Sequence, residues 1–155
     1  MEKVIKPDWT KVSEVELIYR TKVKASERPN LRDSKEVYDF LINNWDLDKI
    51  ELLEEFKVLY LNQANKVLAI FNVSRGGISG TVADPRLIFS MALKIAASCI
   101  ILSHSHPSGN LKPSRADEDL TLKMKEAGKY LDIRVIDHLI VTREHYFSFA
   151  DEGLL

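Results

Sequence analysis

Cysteine is almost absent from this chain: one of its 155 residues, Cys99, is a cysteine. That excludes an internal disulfide and a thiolate-rich structural metal site. Cys99 lies inside the apolar run "AASCIIL", where it is expected to be buried filler rather than a nucleophile. Long hydrophobic runs are also missing. No stretch reaches transmembrane length, and the N-terminus "MEKVIKPDWTKVSEVE" has no signal-peptide core. The expectation is a cytoplasmic protein with no membrane association. An excess of one charge is lacking too, with 22 basic against 23 acidic residues and a net charge of −1. Nucleic acid as a partner therefore gains no support from charge, although a local patch is not excluded. Repeats and low-complexity segments are absent. Gly76, Gly77 and Gly80 lack the strand–G-x-G-x-x-G–helix setting of a nucleotide loop.

What is present is a chain long enough to bury a core, 45% hydrophobic, in which strand and helix patterns interleave. "VSEVELIYR" (12–20) alternates as a half-buried strand. Asp33 or Ser34 caps a helix to about Trp45, with Val37, Phe40, Leu41 and Trp45 on one face. "EEFKVLYLN" (54–62) and "KVLAIFNVS" (66–74) form a hairpin through the turn "NQAN". In the first of these strands Phe56, Val58 and Tyr60 should share one face, with Leu59 and Leu61 on the other. Asp84-Pro85 starts a helix to about Ala97, "SCIILS" is a central strand, and Ser114 starts a helix to about Tyr130. "IRVI", "HLIVT" and "YFSFA" close the chain as short strands. The expected fold is a mixed α/β sheet flanked by helices, in a single domain of residues 12–155 behind a tail of residues 1–11.

The segment with chemical content is "ILSHSHPSGNLKPSRADED", residues 101–119. If the strand through Leu102 continues, His104 and His106 project from the same face, as residues two apart do. Two neutral imidazoles so placed make two legs of a zinc tripod. Asp117, in the first turn of the next helix, can swing back as a third ligand. Two histidines and a carboxylate leave a coordination position open, as catalytic zinc sites do. The same residues have a structural reading, because Ser114-x-x-Asp117 also resembles a capping arrangement. A zinc deaminase is disfavoured, since there is no Pro-Cys-x-x-Cys segment. Such a site still needs a proton carrier, and Glu51, Glu54 and Glu55 at the start of an apolar strand are candidates. Spacing does not choose among them. Asp137-His138 is expected to make a structural hydrogen bond or to touch a ligand histidine, rather than coordinate. His145 is expected to be solvated, and Trp9 and Trp45 to pack.

His104-Ser105-His106, seven residues, then Ser114-x-x-Asp117 resembles the JAMM motif of MPN-domain metalloproteases. The flanking words "HPSG", "PSRAD", "GTVADPR", "MALKIAASCIILSH" and "DHLIVT" resemble the RadC family more closely still, over residues 12–155. The resemblance implies a central mixed β-sheet flanked by helices, related in architecture to the cytidine deaminases. It implies one Zn2+ per chain on His104, His106 and Asp117, with Glu54 as general acid/base and Ser114 stabilising an oxyanion. It further implies a metallohydrolase of a peptide or protein substrate. The alternatives are a DNA-repair or mobile-element accessory protein with little peptidase activity, or a catalytically dead scaffold. Two departures stand out. Ser105 occupies a place where RadC-like sequences usually carry Asn, which touches no ligand. Only about thirty residues precede the first helix and they read as a tail and one strand, whereas longer members carry an N-terminal helix-hairpin-helix region, so a DNA-repair role is less expected.

Overall fold

The computed structural model describes residues 18–77 and 82–155. Most of the expected strand at 12–20 lies outside the described residues, and Ile18–Arg20 carry no strand. Among the described residues the α-helices are α1 (Ser34–Asn43), α2 (Pro85–Lys94) and α3 (Arg115–Tyr130). The strands are β1 (Glu55–Leu61), β2 (Val67–Arg75), β3 (Cys99–Ser105), β4 (Arg134–Val141) and β5 (Tyr146–Ser148). They form a single mixed sheet in the order β2-β1-β3-β4-β5.

Each helix begins where its cap predicts. Asp33 accepts from the Glu36 amide and Asp84 from the Arg86 amide, with Pro85 in the first turn of α2. α2 stops short of Ala97 because Ala96 takes a left-handed φ of 54° and the Ala97 amide turns back to Ala92 O. β1 and β2 are the expected antiparallel hairpin, and β3 runs antiparallel to β1 and parallel to β4. A parallel pair needs a long crossover, which α3 provides.

Every residue of β1 and β3 is buried, so these strands carry both faces of the core. Leu59, Leu61, Cys99, Ile101, Leu139 and Val141 pack with Val37, Tyr38 and Leu41 of α1. Phe56, Val58, Tyr60, Ile100 and Leu102 pack on the other face with Ile88 and Phe89 of α2 and Met124 of α3. The alternation expected for β1 is therefore observed, and so is the mixed α/β class.

One expectation is corrected. "IRVI" and "HLIVT" are a single strand, β4, interrupted by an irregularity rather than a loop. Ile100 pairs with Val135 and Ile101 with Asp137, so Ile136 is an extra residue, a β-bulge. Val135 faces the α2/α3 side, whereas Leu139 and Val141, an even number of residues later, face α1. The bulge reverses the alternation, and His138 consequently points toward α3.

Candidate metal centre

The carboxyl end of β3, the central strand, meets the N-terminus of α3. His104 is on the α2/α3 face of β3, and His106 follows just past the strand end. Their Nε2 atoms lie 3.0 Å apart. Asp117 Oδ1 is 3.2 Å from His104 Nε2, and Oδ2 is 3.7 Å from His106 Nε2. Around a tetrahedral zinc ion with bonds of about 2.0–2.1 Å, ligand atoms sit roughly 3.3–3.4 Å apart. The observed separations lie near that value, with each Asp117 oxygen facing one of the two rings. Among the described residues these side chains form a group able to hold a metal ion, and two imidazoles with a carboxylate are a donor set that zinc accepts.

The electrostatics agree with the geometry. Burial works to raise the Asp117 carboxyl, but the imidazoles of His104 and His106 beside it and the hydrogen bond from Ser114 outweigh it and hold Asp117 well below the usual carboxylate range. The Asp117 hydrogen bond raises the His106 pKa, against an opposing contribution from burial and with further support from Asn110 and Glu54. A cation is thus favoured at the point the three groups share. His104 is buried, with its side chain 2% exposed, while those of His106 and Asp117 are 16% and 15% exposed. The site opens to solvent on that side.

Neighbouring groups hold the rings. Phe56 lies parallel to the His104 ring, with centroids 6.0 Å apart, and Phe149 stacks on His138 at 4.8 Å. His106 Nδ1 meets the Asn110 carbonyl, inside the loop that Gly109 turns with a φ of 79°. His104 Nδ1 is 2.8 Å from His138 Nε2, so His138 makes the expected contact with His104 and lies outside the candidate metal-binding group. Burial pushes its pKa well below the ordinary value, and the adjacent His104 lowers it further. Asp137 is structural, taking the His138 and Ala150 amides and the Ser148 hydroxyl.

The acidic candidates separate cleanly. Glu51 is an exposed partner of Arg143. Glu55 is buried and bound by Arg75 at 2.8 Å and Lys57 at 3.3 Å. The charge of Glu54 contributes to raising the His106 pKa. The Glu54 backbone is pinned by Gly76 and Gly77 at the end of the hairpin. The Ser105 hydroxyl adds a second clamp, accepting from the Glu55 amide and donating to Leu53 O. Ser114 forms a capping box with Asp117, and its hydroxyl donates to Asp117 Oδ2 at 2.7 Å. Capping is therefore observed at the same residues as the ligand geometry.

Sequence reasoning missed Thr121, whose Oγ1 lies 2.6 Å from His138 Nδ1 and 2.6 Å from Asp117 O. Its position four residues after Asp117 was the available signal. It also missed the bulge at Ile136, which has no residue-type marker.

Relatives carry the same region. A UPF0758 protein of Flavobacterium johnsoniae is 52% identical over 101 residues, covering 65% of this chain and 44% of that protein. The UPF0758 protein YfjY of Escherichia coli is 46% identical over 102 residues, covering 66% of this chain and 64% of that protein. One from Symbiobacterium thermophilum is 35% identical over 136 residues, 88% of this chain and 57% of that protein. The chain thus spans about half the length of several relatives it matches. The model of the RadC-like JAB domain matches residues 31–154, a span that holds the whole ligand group, and the chain belongs to that family.

Proposed function

We propose that the protein is a zinc-dependent hydrolase of peptide or isopeptide bonds. The observation that carries this reading is the convergence of two imidazole nitrogens and a carboxylate at tetrahedral-edge distances, open to solvent on one side. A zinc ion held by His104, His106 and Asp117 would supply Lewis acidity, polarising a scissile carbonyl and acidifying a water. Glu54 carries the proton: it accepts one from the attacking water and returns it to the leaving amine. Its place at the entry to β1, with its backbone tied to Gly76 and Gly77, and the effect of its charge on His106 support this role. Ser114 serves the developing oxyanion. Its hydroxyl, which now donates to Asp117 Oδ2, would turn to the oxyanion, while the Ser114 amide continues to bind Asp117. The substrate is a peptide or protein segment approaching where His106 and Asp117 are exposed.

The test combines metal content with turnover. Protein purified with zinc should contain about one ion per chain, and His104→Ala with His106→Ala should abolish stoichiometric binding. Hydrolysis of a library of peptides and isopeptide-linked conjugates should stop on chelation and return with zinc. Full zinc occupancy in the double variant, or hydrolysis indifferent to chelation, would sink the reading.

A further inference from the structure

We infer that Thr121 and His138 are positioning residues that fix the tautomer of His104, through a hydrogen-bond chain whose polarity is set at its far end. For its functional meaning the inference rests on the zinc reading above; the chain itself is a property of the metal-free protein.

The direction follows group by group. The Asp117 backbone carbonyl can only accept, so Thr121 Oγ1–H must donate to it across 2.6 Å. The hydroxyl has one proton, now committed, so toward His138 Nδ1, also 2.6 Å away, Thr121 Oγ1 can only accept. His138 Nδ1 therefore bears the N–H. His138 is fully buried, with Phe149 stacked on its ring and Phe56 tilted against it, a setting that keeps the imidazole neutral. Its Nε2 is then a bare lone pair facing His104 Nδ1 at 2.8 Å, and His104 Nδ1 must donate. A neutral His104 protonated on Nδ1 has a bare Nε2, and that is the atom directed at His106 and Asp117.

Two features show how the fold builds this chain. Thr121 is four residues after Asp117, so the turn of α3 that presents one ligand also sets the proton position on another. The bulge at Ile136 turns His138 to the α3 side of the sheet; without it, simple alternation from Val135 would send the ring toward α1. His106 has a separate and shorter device, the Asn110 carbonyl, which likewise leaves its Nε2 bare.

The decisive variant is Thr121→Val, which keeps the branched shape and removes the hydroxyl. His138 Nδ1–H then loses its acceptor, and the opposite tautomer becomes competitive. That tautomer presents a proton to His104 Nδ1 and drives the His104 proton onto Nε2, in the position of the metal. Zinc affinity, measured by competition with a chromophoric chelator, should fall about 10- to 100-fold. Thr121→Ser should restore it to within a few-fold, which a packing role for the methyl group would not predict. Nitrogen-15 NMR of metal-free wild-type protein, at a pH where the histidines are neutral, should show His104 and His138 both protonated on Nδ1. This second measurement needs no variant, so it decides the matter even if Thr121→Val fails to fold. A wild-type His104 protonated on Nε2, or equal zinc affinity in Thr121→Val and wild type, would overturn the inference. Wild-type protein that binds no zinc would instead overturn the hydrolase reading, and the tautomer spectrum would still decide the chain.

Discussion

Glu54 and Glu55 are adjacent carboxylates with opposite surroundings, and substitutions should separate their roles. Glu55 belongs to the α1 side, where it neutralises Lys57, itself 5% exposed and lying over the Trp45 ring at 4.7 Å. Glu54, just before β1, has a charge that acts on His106. Glu54→Gln, nearly isosteric but unable to take and return a proton, should keep zinc and thermal stability while turnover drops about 100- to 10,000-fold. Glu55→Gln should do the reverse. Removing its charge leaves buried Lys57 poorly compensated, at a cost of about 1–3 kcal/mol, with turnover per folded molecule close to wild type. Paired thermal melts and rate measurements check both, and a Glu54→Gln protein within a few-fold of wild-type activity would reduce Glu54 to a solvated strand end. Sequence spacing left Glu51, Glu54 and Glu55 open. Resemblance pointed to Glu54, and burial and charge partners now distinguish it from its neighbours.

The crossover from β3 through α3 to β4 sets both ends of the site's geometry. Its first turn supplies Asp117 and its last turn must return the chain close to the sheet. Gly128 makes that return feasible: a Cβ there would sit 2.2 Å from the Ile133 carbonyl oxygen, a backbone atom with no rotamer to yield. Ile133 N bonds to Gly128 O at 2.9 Å, so the two backbones are held at this distance. Gly128→Ala should cost about 1–3 kcal/mol, the range for overpacking. That corresponds to a melting temperature lower by roughly 2–4 °C per kcal/mol in a chain of this size. An unchanged melting temperature would show that the helix end shifts without strain. The helix itself was readable from its cap and apolar spacing, whereas the close approach at Gly128 was not, because nothing local requires glycine there.

Both faces of the sheet carry apolar cores that do not involve His104, His106 or Asp117, and each fully buried large side chain contributes roughly 1.5–3 kcal/mol. The fold should therefore survive chelation, with its far-ultraviolet circular dichroism unchanged. Zinc should still add stability by linkage, about 2.7 kcal/mol at a hundred-fold excess over its dissociation constant. The increment depends on pH with a definite sign. Binding needs neutral His106, whose pKa is raised above the ordinary value of about 6.5 by the Asp117 hydrogen bond. Protons therefore compete once the pH falls through that raised value, while Asp117, held low, stays ionised throughout. The zinc-dependent thermal shift should be full near pH 8 and shrink as pH falls toward roughly 5. A shift that is flat across this interval would exclude His106 as a ligand.

Local physics alone specified the helix starts at Asp84 and Ser114, narrowed the first to Asp33 or Ser34, and specified the hairpin of β1 and β2 and the shared face of His104 and His106. Caps, turn residues and alternation act over a few residues, so they leave marks in the chain. The distant contacts left none. "IRVI" and "HLIVT" could not be joined from sequence, because the bulge at Ile136 exists only in register with Ile100 and Ile101. His138 and Thr121 are 17 residues apart, and His138 is 34 from His104. Only the parallel pairing of β3 with β4, under α3, brings them within hydrogen-bond reach. The candidate metal-binding group was legible because its members lie within one strand–loop–helix segment; the groups packed against it depend on long-range pairing, and the fold alone decides that.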